Sequence, residues 1–420
     1  MLRKWMLVAI YILFAVILFA CYDSREVDEF AYVVAMGIDK GEGQAWKLTI
    51  QIPTMEKSAG TSGEDGSSEG EGQHGEYEVA SVDAPSFFAA VQMLNASVPR
   101  KLNFFHTKMI AISEELAKSG EIGEMIAPIV RNRQIRRIAH IVVCKGSAEE
   151  FIKENKPVIG KNLSKTMELA FNEFEETGFF PHSTLYDFYL YMKSYGYQPV
   201  AMLGSVNKHH GKEDLKDRTE GDYTAGQLPK KGGREIEFFG SAIFDGAKMI
   251  TELTGDETRV MLMARGEFKR GCFTIPDPKR PELIIPIEVY MTDKPERKIN
   301  LEGESPEIDL TVKLEGDILA IQSRLEYEKG ELKKELENAC AQYIQEELDR
   351  TIQKCRNLGV DVFRFADTAI WQFPTIQDWE DYAWDKRFKN AKINTKVEFR
   401  IRRTGRQFRS SPIITSEGSE

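Results

Sequence analysis

The first 26 residues limit most strongly what this chain can be, because they predict that the rest of it is exported across the membrane. Arg3 and Lys4 precede an uninterrupted apolar run at residues 5–20, and a charged stretch begins at Asp23. A positive start, an apolar segment and a small residue before the cleavage position are typical of a secretory signal. We therefore expect residues 1–20 to be a signal peptide and the remainder of the chain to be exported.

Leu18 and Ala20 suit a lipoprotein processing site in front of Cys21, although Phe19 between them is bulkier than usual. At such a site the thiol takes two acyl chains through a glyceryl thioether, and the cysteine becomes the first residue of the mature protein. Cys21 is therefore the predicted lipid anchor. An uncleaved single-span anchor and ordinary secretion remain open. The sixteen apolar residues of the run fall short of the roughly 20 that a spanning helix needs.

The net charge bears on what the exported body can bind. The formal charge is −10, and removing Arg3 and Lys4 with the signal makes it −12. An acidic body is not attracted to nucleic acid or to anionic lipid, so we expect no nucleic-acid partner. Two acyl chains suffice for stable anchoring. Lipid and a protein partner, rather than charge, are therefore expected to hold the body at the membrane.

No residue cluster predicts a metal or a cofactor. Beyond Cys21 the spacing of the cysteines matches neither zinc nor redox motifs, and all four are interpreted as buried, free thiols: Cys144, Cys272, Cys340 and Cys355. The last two fall on one predicted helix, about 22 Å apart, so they cannot form a disulfide with each other. His209 and His210 are adjacent in a polar loop and do not form a metal motif.

Residues 21–197 are predicted to form an N-terminal α/β domain. Apolar runs at 30–38 and 46–52 flank a turn-rich stretch, which predicts a hairpin. Residues 58–76 contain Gly, Ser, Glu and Asp with almost nothing apolar, so we expect a disordered insert there. A helix is expected after Pro85, with three residues facing inward: Phe88, Val91 and Leu94. The aromatic residues of a later predicted helix are expected in the core or at a domain contact: Tyr186, Phe188, Tyr189 and Tyr191.

Two further units and a tail are predicted. A middle domain at 198–280 contains Asp245-Gly246 between apolar runs, the type I′ hairpin signal, followed by a capping box at Thr254. A C-terminal α/β domain at 281–405 contains a long helix after Gly330, whose apolar residues recur at helical spacing and are expected to pack on a sheet. Residues 406–420 are expected to be a frayed tail. The predicted fold class is α+β, with three mixed α/β domains and largely antiparallel or mixed sheets.

The sequence contains none of the local motifs that would mark an enzyme. It has no G-x-S-x-G elbow, P-loop, H-E-x-x-H or dinucleotide fingerprint. His106 lies at a predicted strand start and is interpreted as a structural histidine rather than a catalytic base. We therefore expect no enzymatic activity and no cofactor.

A set of short stretches in collinear order carries a family resemblance. The start of the expected mature chain, CYDSRE at 21–26 followed by AMGIDK at 35–40, resembles that of the Ger(x)C (GerAC-like) spore germination lipoproteins. That family usually has Trp where Tyr22 stands. Similar stretches follow at 106–108, 113–117, 135–137, 142–146, 359–363 and 401–405.

The resemblance implies a function and a location. Members of this family are the C subunits of nutrient germinant receptors, lipid-anchored beside two integral membrane subunits of A and B type. They lie on the outer face of the spore inner membrane, and the complex triggers germination. The family implies three α/β domains, no catalysis and no transferable binding residues. The nutrient, and whether this subunit binds it, stay open.

A solute-binding lipoprotein of a membrane transporter is the alternative. Such proteins usually show two similar parallel α/β lobes around a ligand cleft. Hairpins such as the one at Asp245-Gly246 interrupt that alternation here. The sequence therefore favours a receptor subunit.

Overall fold

The computed structural model describes residues 1, 3–7, 11, 26–43, 46–53, 77–157, 162–208, 219–405, 414–415 and 418–419. Several predictions from the sequence lie outside these residues: most of the signal peptide, Cys21, the insert at 58–76, His209, His210 and most of the tail.

The strands, in chain order, are β1 (Phe30–Tyr32), β2 (Ala35–Lys40), β3 (Trp46–Pro53), β4 (Tyr77–Ala84), β5 (Lys101–Asn103), β6 (Met109–Ser113), β7 (His140–Lys145), β8 (Val200–Val206), β9 (Ile236–Asp245), β10 (Lys248–Leu253), β11 (Arg270–Pro276), β12 (Ile284–Met291), β13 (Glu296–Asn300), β14 (Glu307–Ile318), β15 (Lys392–Arg403), β16 (Ile414–Thr415) and β17 (Gly418–Ser419).

The helices are α1 (Phe87–Ser97), α2 (Glu114–Ser119), α3 (Ile122–Arg131), α4 (Ala148–Lys153), α5 (Leu163–Asn172), α6 (Phe174–Thr177), α7 (Leu185–Met192), α8 (Gly255–Arg265), α9 (Gly330–Leu358), α10 (Ala366–Ala369), α11 (Ile376–Tyr382) and α12 (Trp384–Phe388). Short 3-10 turns lie at Val27–Glu29 and Ile370–Gln372.

The larger sheet has eight strands in the described residues, in the spatial order β10-β9-β8-β7-β6-β2-β3-β4. Its centre is parallel, because β2, β6, β7 and β8 run side by side in one direction. Helices cover both faces: α1, α2, α3 and α7 on one, α4 and α5 on the other. Burial on both faces explains why β6 is apolar along almost its whole length.

The smaller sheet has the order β11-β12-β14-β13, and β15 pairs in parallel with β14 along its other side. The long helix α9 packs on one face. Leu336, Cys340, Ile344 and Leu348 of α9 share one apolar core with the alternate residues of β14. The opposite face of β14 is polar, as its alternating sequence predicts.

The α+β class is confirmed, and so are most of its strongest local signals. A hairpin does form between β9 and β10, but its two turn residues are Gly246 and Ala247 and only Gly246 has positive φ, so the predicted type I′ turn at Asp245-Gly246 was wrong. Thr254 and Glu257 form the capping box of α8. The apolar stripe of the long helix is buried against the second sheet, as expected for core rather than for an exposed seam.

Three further predictions were wrong in detail. The run at 30–38 divides into β1, which pairs with β5, and β2, which joins the large sheet. Phe88 is 49% exposed, because Ser86 caps α1 in a phase that buries Phe87 instead. Cys272 is exposed, because β11 alternates and the buried positions are its neighbours Gly271 and Phe273.

The three-domain division stays a prediction, and the strands that it assigns to 198–280 are shared between the two sheets. Strand β8 pairs with β7, and the β9–β10 hairpin extends the same sheet through β8. Strand β11 belongs to the second sheet. Backbone pairing along a whole strand ties the hairpin to its neighbour.

Candidate functional site

A polar cleft opens where the parallel strands β2, β6 and β7 end. The carboxyl ends of parallel strands meet at one edge of a sheet, which is where ligands bind in doubly wound folds. The cleft has a volume of about 560 Å³ and is lined by Asp39, Lys40, Lys47, Ser113, Glu114, Glu115, Lys118, Gly146 and Ser147. Three of the stretches that carry the family resemblance, at 35–40, 113–117 and 142–146, therefore meet here.

Asp39 holds α4 against the end of β2. Its two carboxylate oxygens accept hydrogen bonds from the backbone N–H groups of Ala148 at 2.7 Å and Glu149 at 2.8 Å. Burial raises the pKa of Asp39, while these hydrogen bonds act in the opposite direction. Gly37 allows the helix to lie close, since a Cβ there would be 3.0 Å from the Ala148 carbonyl oxygen. The contacts of Asp39 and Gly37 are thus accounted for by the packing of α4 against β2.

Part of the charged rim of the cleft is paired. Lys47 lies 3.3 Å from Glu149, and Lys118 pairs with Glu114 one helical turn away. Ser113 differs: its hydroxyl is buried, and no group of the described residues hydrogen-bonds it. The described lining contains neither histidine nor cysteine. The cleft can therefore offer polar contacts to a ligand or a partner, but it lacks a nucleophile paired with a base.

A second buried aspartate, in the stretch at 359–363, lies where the two sheets meet. Asp361 accepts hydrogen bonds from the backbone N–H groups of Phe365 at 3.1 Å and Ala366 at 2.8 Å, and from the Trp384 indole at 3.1 Å. Burial raises its pKa to about 6. Its own N–H donates to Gln198, 163 positions earlier in the chain. We call this group the junction.

Further contacts hold the junction together. The Gln198 side-chain amide donates to Asp385 at 2.9 Å. Arg265 donates to the Val362 carbonyl at 2.6 Å, and burial lowers its pKa to about 10. Because Gln198 leads directly into β8, the junction connects the large sheet to the segment that follows α9. Its hydrogen bonds hold these two parts of the chain together.

The aromatic residues of α7 have mixed roles. Phe188 is buried in the core, as expected. Tyr191 stacks on Tyr197 at 5.5 Å, and the Arg364 guanidinium lies 4.7 Å from its ring, so it does contact the other half of the chain. Tyr186 is 49% exposed, which contradicts the core assignment. His106 is exposed beside Tyr32, with their ring centroids 4.8 Å apart.

The described residues contain neither a metal-ligand cluster nor a membrane-spanning helix. No group of three or more metal-ligating side chains occurs among them. No helix among them is both long and apolar enough to cross a membrane. Cys21 and most of the preceding apolar run lie outside them, so the anchor assignment stays a prediction.

Sequence reasoning missed the junction and an arginine cluster. Nothing local in the sequence connects Asp361 to Gln198, because the contact exists only once both sheets have formed. The cluster, in contrast, is visible as RNRQIRR at 131–137. The overall negative charge of the chain concealed it.

The fold is that of a mixed α+β protein, in which the buried carboxylates of Asp39 and Asp361 accept hydrogen bonds from backbone N–H groups. Two family models match the chain in tandem: "Spore germination protein N-terminal domain" over residues 23–206 and "Spore germination B3/ GerAC like, C-terminal" over residues 239–405. The chain belongs to this GerAC-like family of spore germination proteins.

Relatives match along nearly the whole chain. Spore germination protein KC of Bacillus subtilis (strain 168) is 25% identical, with 98% of each chain covered. Spore germination protein B3 of the same organism is 20% identical, with 91% of this chain and 93% of the relative covered. The crystal structure of the GerBC protein shares the fold, with a TM-score of 0.52 at 17% identity, over 87% of this chain and 96% of that one.

Proposed function

We propose that the protein is a non-enzymatic, lipid-anchored subunit of a nutrient germinant receptor on the outer face of the spore inner membrane. The observation that carries the proposal is the tandem match of both family models. The predicted lipoprotein site at Cys21 lies just before the first matched residue. The relatives named above are spore germination proteins, and the family is one of germination proteins rather than of enzymes.

The structure supports a role through protein contacts. The shifted pKa values of Asp39 and Asp361 arise where each caps backbone N–H groups, so these shifts have a structural cause. The carboxyl-edge cleft offers charged side chains of both signs and the Ser113 hydroxyl to a partner or a small ligand. In this proposal the partners are two integral membrane subunits, of A and B type.

Affinity isolation from spore membranes tests the complex. A tagged full chain, solubilised in mild detergent, should bring down two integral membrane proteins in constant ratio. Recovery of a permease together with an ATPase would instead support a solute-binding lipoprotein of a transporter. Recovery of the chain alone, under conditions that preserve other membrane complexes, would contradict the proposal.

The anchor is tested by Cys21→Ala. Labelled palmitate should be incorporated into the wild-type chain and lost from the variant, because the thioether needs the thiol of Cys21. Cys272→Ala is the matched control, since Cys272 is an exposed free thiol of the body and should leave labelling unchanged. Germination should weaken rather than fail, because partner contacts still supply part of the local concentration. Wild-type labelling of the Cys21 variant would exclude this anchor.

A further inference from the structure

Four arginines form an unpaired basic surface on this acidic chain. Arg131, Arg133, Arg136 and Arg137 are all exposed. No carboxylate of the described part of the chain lies within ion-pair distance of any of them. Some other surface arginines have carboxylate partners, such as Arg270 with Glu176 and Arg402 with Glu315. These four guanidinium groups therefore remain available to an external anion.

Exposed apolar side chains lie beside these arginines. Ile138 is 63% exposed, Tyr186 49% and Leu190 41%. The backbone N–H of Tyr186 donates to the Arg137 carbonyl at 2.9 Å, so α7 is joined directly to the arginine segment. A shallow, apolar pocket of about 210 Å³ lies between them, lined by Val130, Arg137, Tyr186, Tyr189, Leu190 and Lys193. We call residues 131–138 together with the exposed side of α7 the arginine face.

Basic groups interspersed with tyrosine and aliphatic side chains are the composition of surfaces that lie in a membrane interface. The apolar side chains enter the headgroup region, and the guanidinium groups bind phosphates. Tyrosine is enriched at that depth because its ring is apolar and its hydroxyl is polar. The chemistry of the arginine face thus fits an anionic lipid surface.

The arginine face lies at the edge of the sheet where the chain enters from its N-terminus. The starts of β2, β6 and β7 are aligned, since the N–H of Lys108 donates to Val34 and the N–H of His140 donates to Lys108. Strands are spaced about 4.8 Å apart, so the starts of β2 and β7 are separated by roughly 10 Å. The arginine segment leads directly into β7.

This position matches the tether of the proposed function, on which the inference rests. Glu26 lies five positions after Cys21, a distance along the chain that can span at most about 17 Å. A bilayer that holds Cys21 is therefore close to the amino edge of the sheet. The polar cleft lies at the opposite, carboxyl edge, and would face away from that bilayer.

Three carboxylates oppose such a surface. Glu26, Asp28 and Glu29 are exposed where the chain enters the fold. Against them stand the four arginines and the exposed Lys193. Charges farther apart than about 8 Å are screened at physiological ionic strength, so a bilayer responds to this local excess and not to the charge of the whole chain.

We propose that the arginine face contacts anionic lipid headgroups of the membrane that carries the tether, and that this contact fixes the orientation of the body. The occupant is a lipid surface rather than an acidic protein, because the face lies beside the tethered end and joins basic to exposed apolar side chains. The negative net charge of the chain does not oppose this contact, because the positive charge of the arginine face is concentrated on one edge of the sheet.

Hydrogen–deuterium exchange on vesicles tests the proposal. The full chain is reconstituted on vesicles of phosphatidylcholine alone and of phosphatidylcholine mixed with phosphatidylglycerol. Amides at 131–138 and in α7 should exchange several-fold more slowly on the anionic vesicles, and 1 M salt should abolish the difference. Flotation of the vesicles reports the tether separately. A chain that fails to float contradicts the proposed anchor, whereas a floating chain without this protection contradicts the arginine face.

Charge reversal provides the matched comparison. Arg136→Glu with Arg137→Glu should remove the lipid-dependent protection. Arg400→Glu with Arg403→Glu, at exposed positions of β15 in the other sheet, should leave it unchanged. The exchange of the β6 amides reports whether each variant is folded. If the double variant at Arg136 and Arg137 does not fold, the variant Arg131→Gln with Arg133→Gln is used in its place. Equal exchange on both lipids, or protection that survives charge reversal, would overturn the proposal and assign the face to a protein partner.

Discussion

Two buried aspartates, Asp39 and Asp361, hold backbone N–H groups in place of water. For Asp39 the bonded residues lie about 109 positions later in the chain. The Asp361 carboxylate accepts from two backbone N–H groups within five positions and from the indole of Trp384, while the backbone N–H of Asp361 donates to Gln198. Burying a carboxylate costs free energy because it loses its contacts with water. When that carboxylate accepts hydrogen bonds from several buried N–H groups, it removes the larger free-energy cost of leaving those groups unpaired. Losing either carboxylate should therefore disturb contacts between elements, not only within a loop.

Asp361→Asn should change how stability depends on pH. Burial raises the pKa of Asp361 from 3.8 to about 6. Between these values the folded state binds more protons than the unfolded state, so the contribution of Asp361 to stability is present below about pH 4 and is lost by about pH 6. The variant does not titrate there. The free energy of unfolding of wild type minus that of the variant should be about 2 kcal/mol larger at pH 4.5 than at pH 7.

Urea midpoints measured at both pH values check this. The comparison does not depend on the absolute cost of the substitution, because that cost enters equally at each pH. A difference that is the same at pH 4.5 and pH 7 would show that Asp361 keeps an ordinary pKa.

The contacts of single residues could be predicted from the sequence only where the partner residues lie close together in the chain. The capping box of Thr254 and Glu257 was predictable because the two residues are three positions apart. Phe87 and Phe88 were confused because adjacent aromatic residues fit the helical pattern in either phase, and only the cap at Ser86 decides between them. The junction at Asp361 was not predictable, since its partners meet only in the folded chain.

At the scale of elements, the long helix α9 both covers a core and protects a sheet edge. Its apolar stripe packs on the second sheet. Its polar side chains accept hydrogen bonds from the outer edge of β15: Gln345 from the Val397 N–H at 3.3 Å and Glu337 from the Ile401 N–H at 2.9 Å. An unpaired edge strand invites association with other chains, so this coverage also protects against aggregation. The stripe was predictable from its period, whereas the edge contacts were not.

Leu336→Ala should cost about 2 to 5 kcal/mol in the free energy of unfolding, because Leu336 is fully buried in the second core. Glu335→Ala is the matched neighbour. Glu335 is partly exposed and paired with Lys279 at 2.6 Å, and a surface ion pair contributes at most about 1 kcal/mol. Urea melts of the full chain should show a large drop of the midpoint for the first variant and a small one for the second. An unchanged midpoint for Leu336→Ala would mean that its stripe does not form core.

At the scale of the whole molecule, the two sheets share an apolar core, to which the first sheet contributes Val200, Ile243 and Leu253, and charge is distributed unevenly over the surface. The composition correctly indicated a chain with several cores and an acidic average. It could not indicate that the hairpin at 236–253 would extend the first sheet, because strand pairing between distant segments leaves no local trace. Nor could an average charge reveal a basic edge.

The last prediction concerns Gly196, which precedes β8 at the junction. Its φ is +80°, a conformation that costs other residues about 1 to 3 kcal/mol. A Cβ there would also lie 2.6 Å from the Trp379 ring, and its N–H donates to Asp385 at 3.3 Å. Gly196→Ala should therefore force Trp379 away and loosen the connection between the sheets, at a further cost of about 1 to 3 kcal/mol.

Gly232→Ala isolates the backbone part of that cost, because Gly232 has a φ of +71° with nothing within 4 Å of the added carbon. Scanning calorimetry of the two full-length variants makes the comparison. Gly232→Ala should lower the melting temperature slightly while keeping the shape of the wild-type transition. Gly196→Ala should lower it further, because the Trp379 side chain that the added carbon displaces belongs to the apolar core that residues of both sheets share. If both variants melt alike, the added carbon at Gly196 does not displace Trp379.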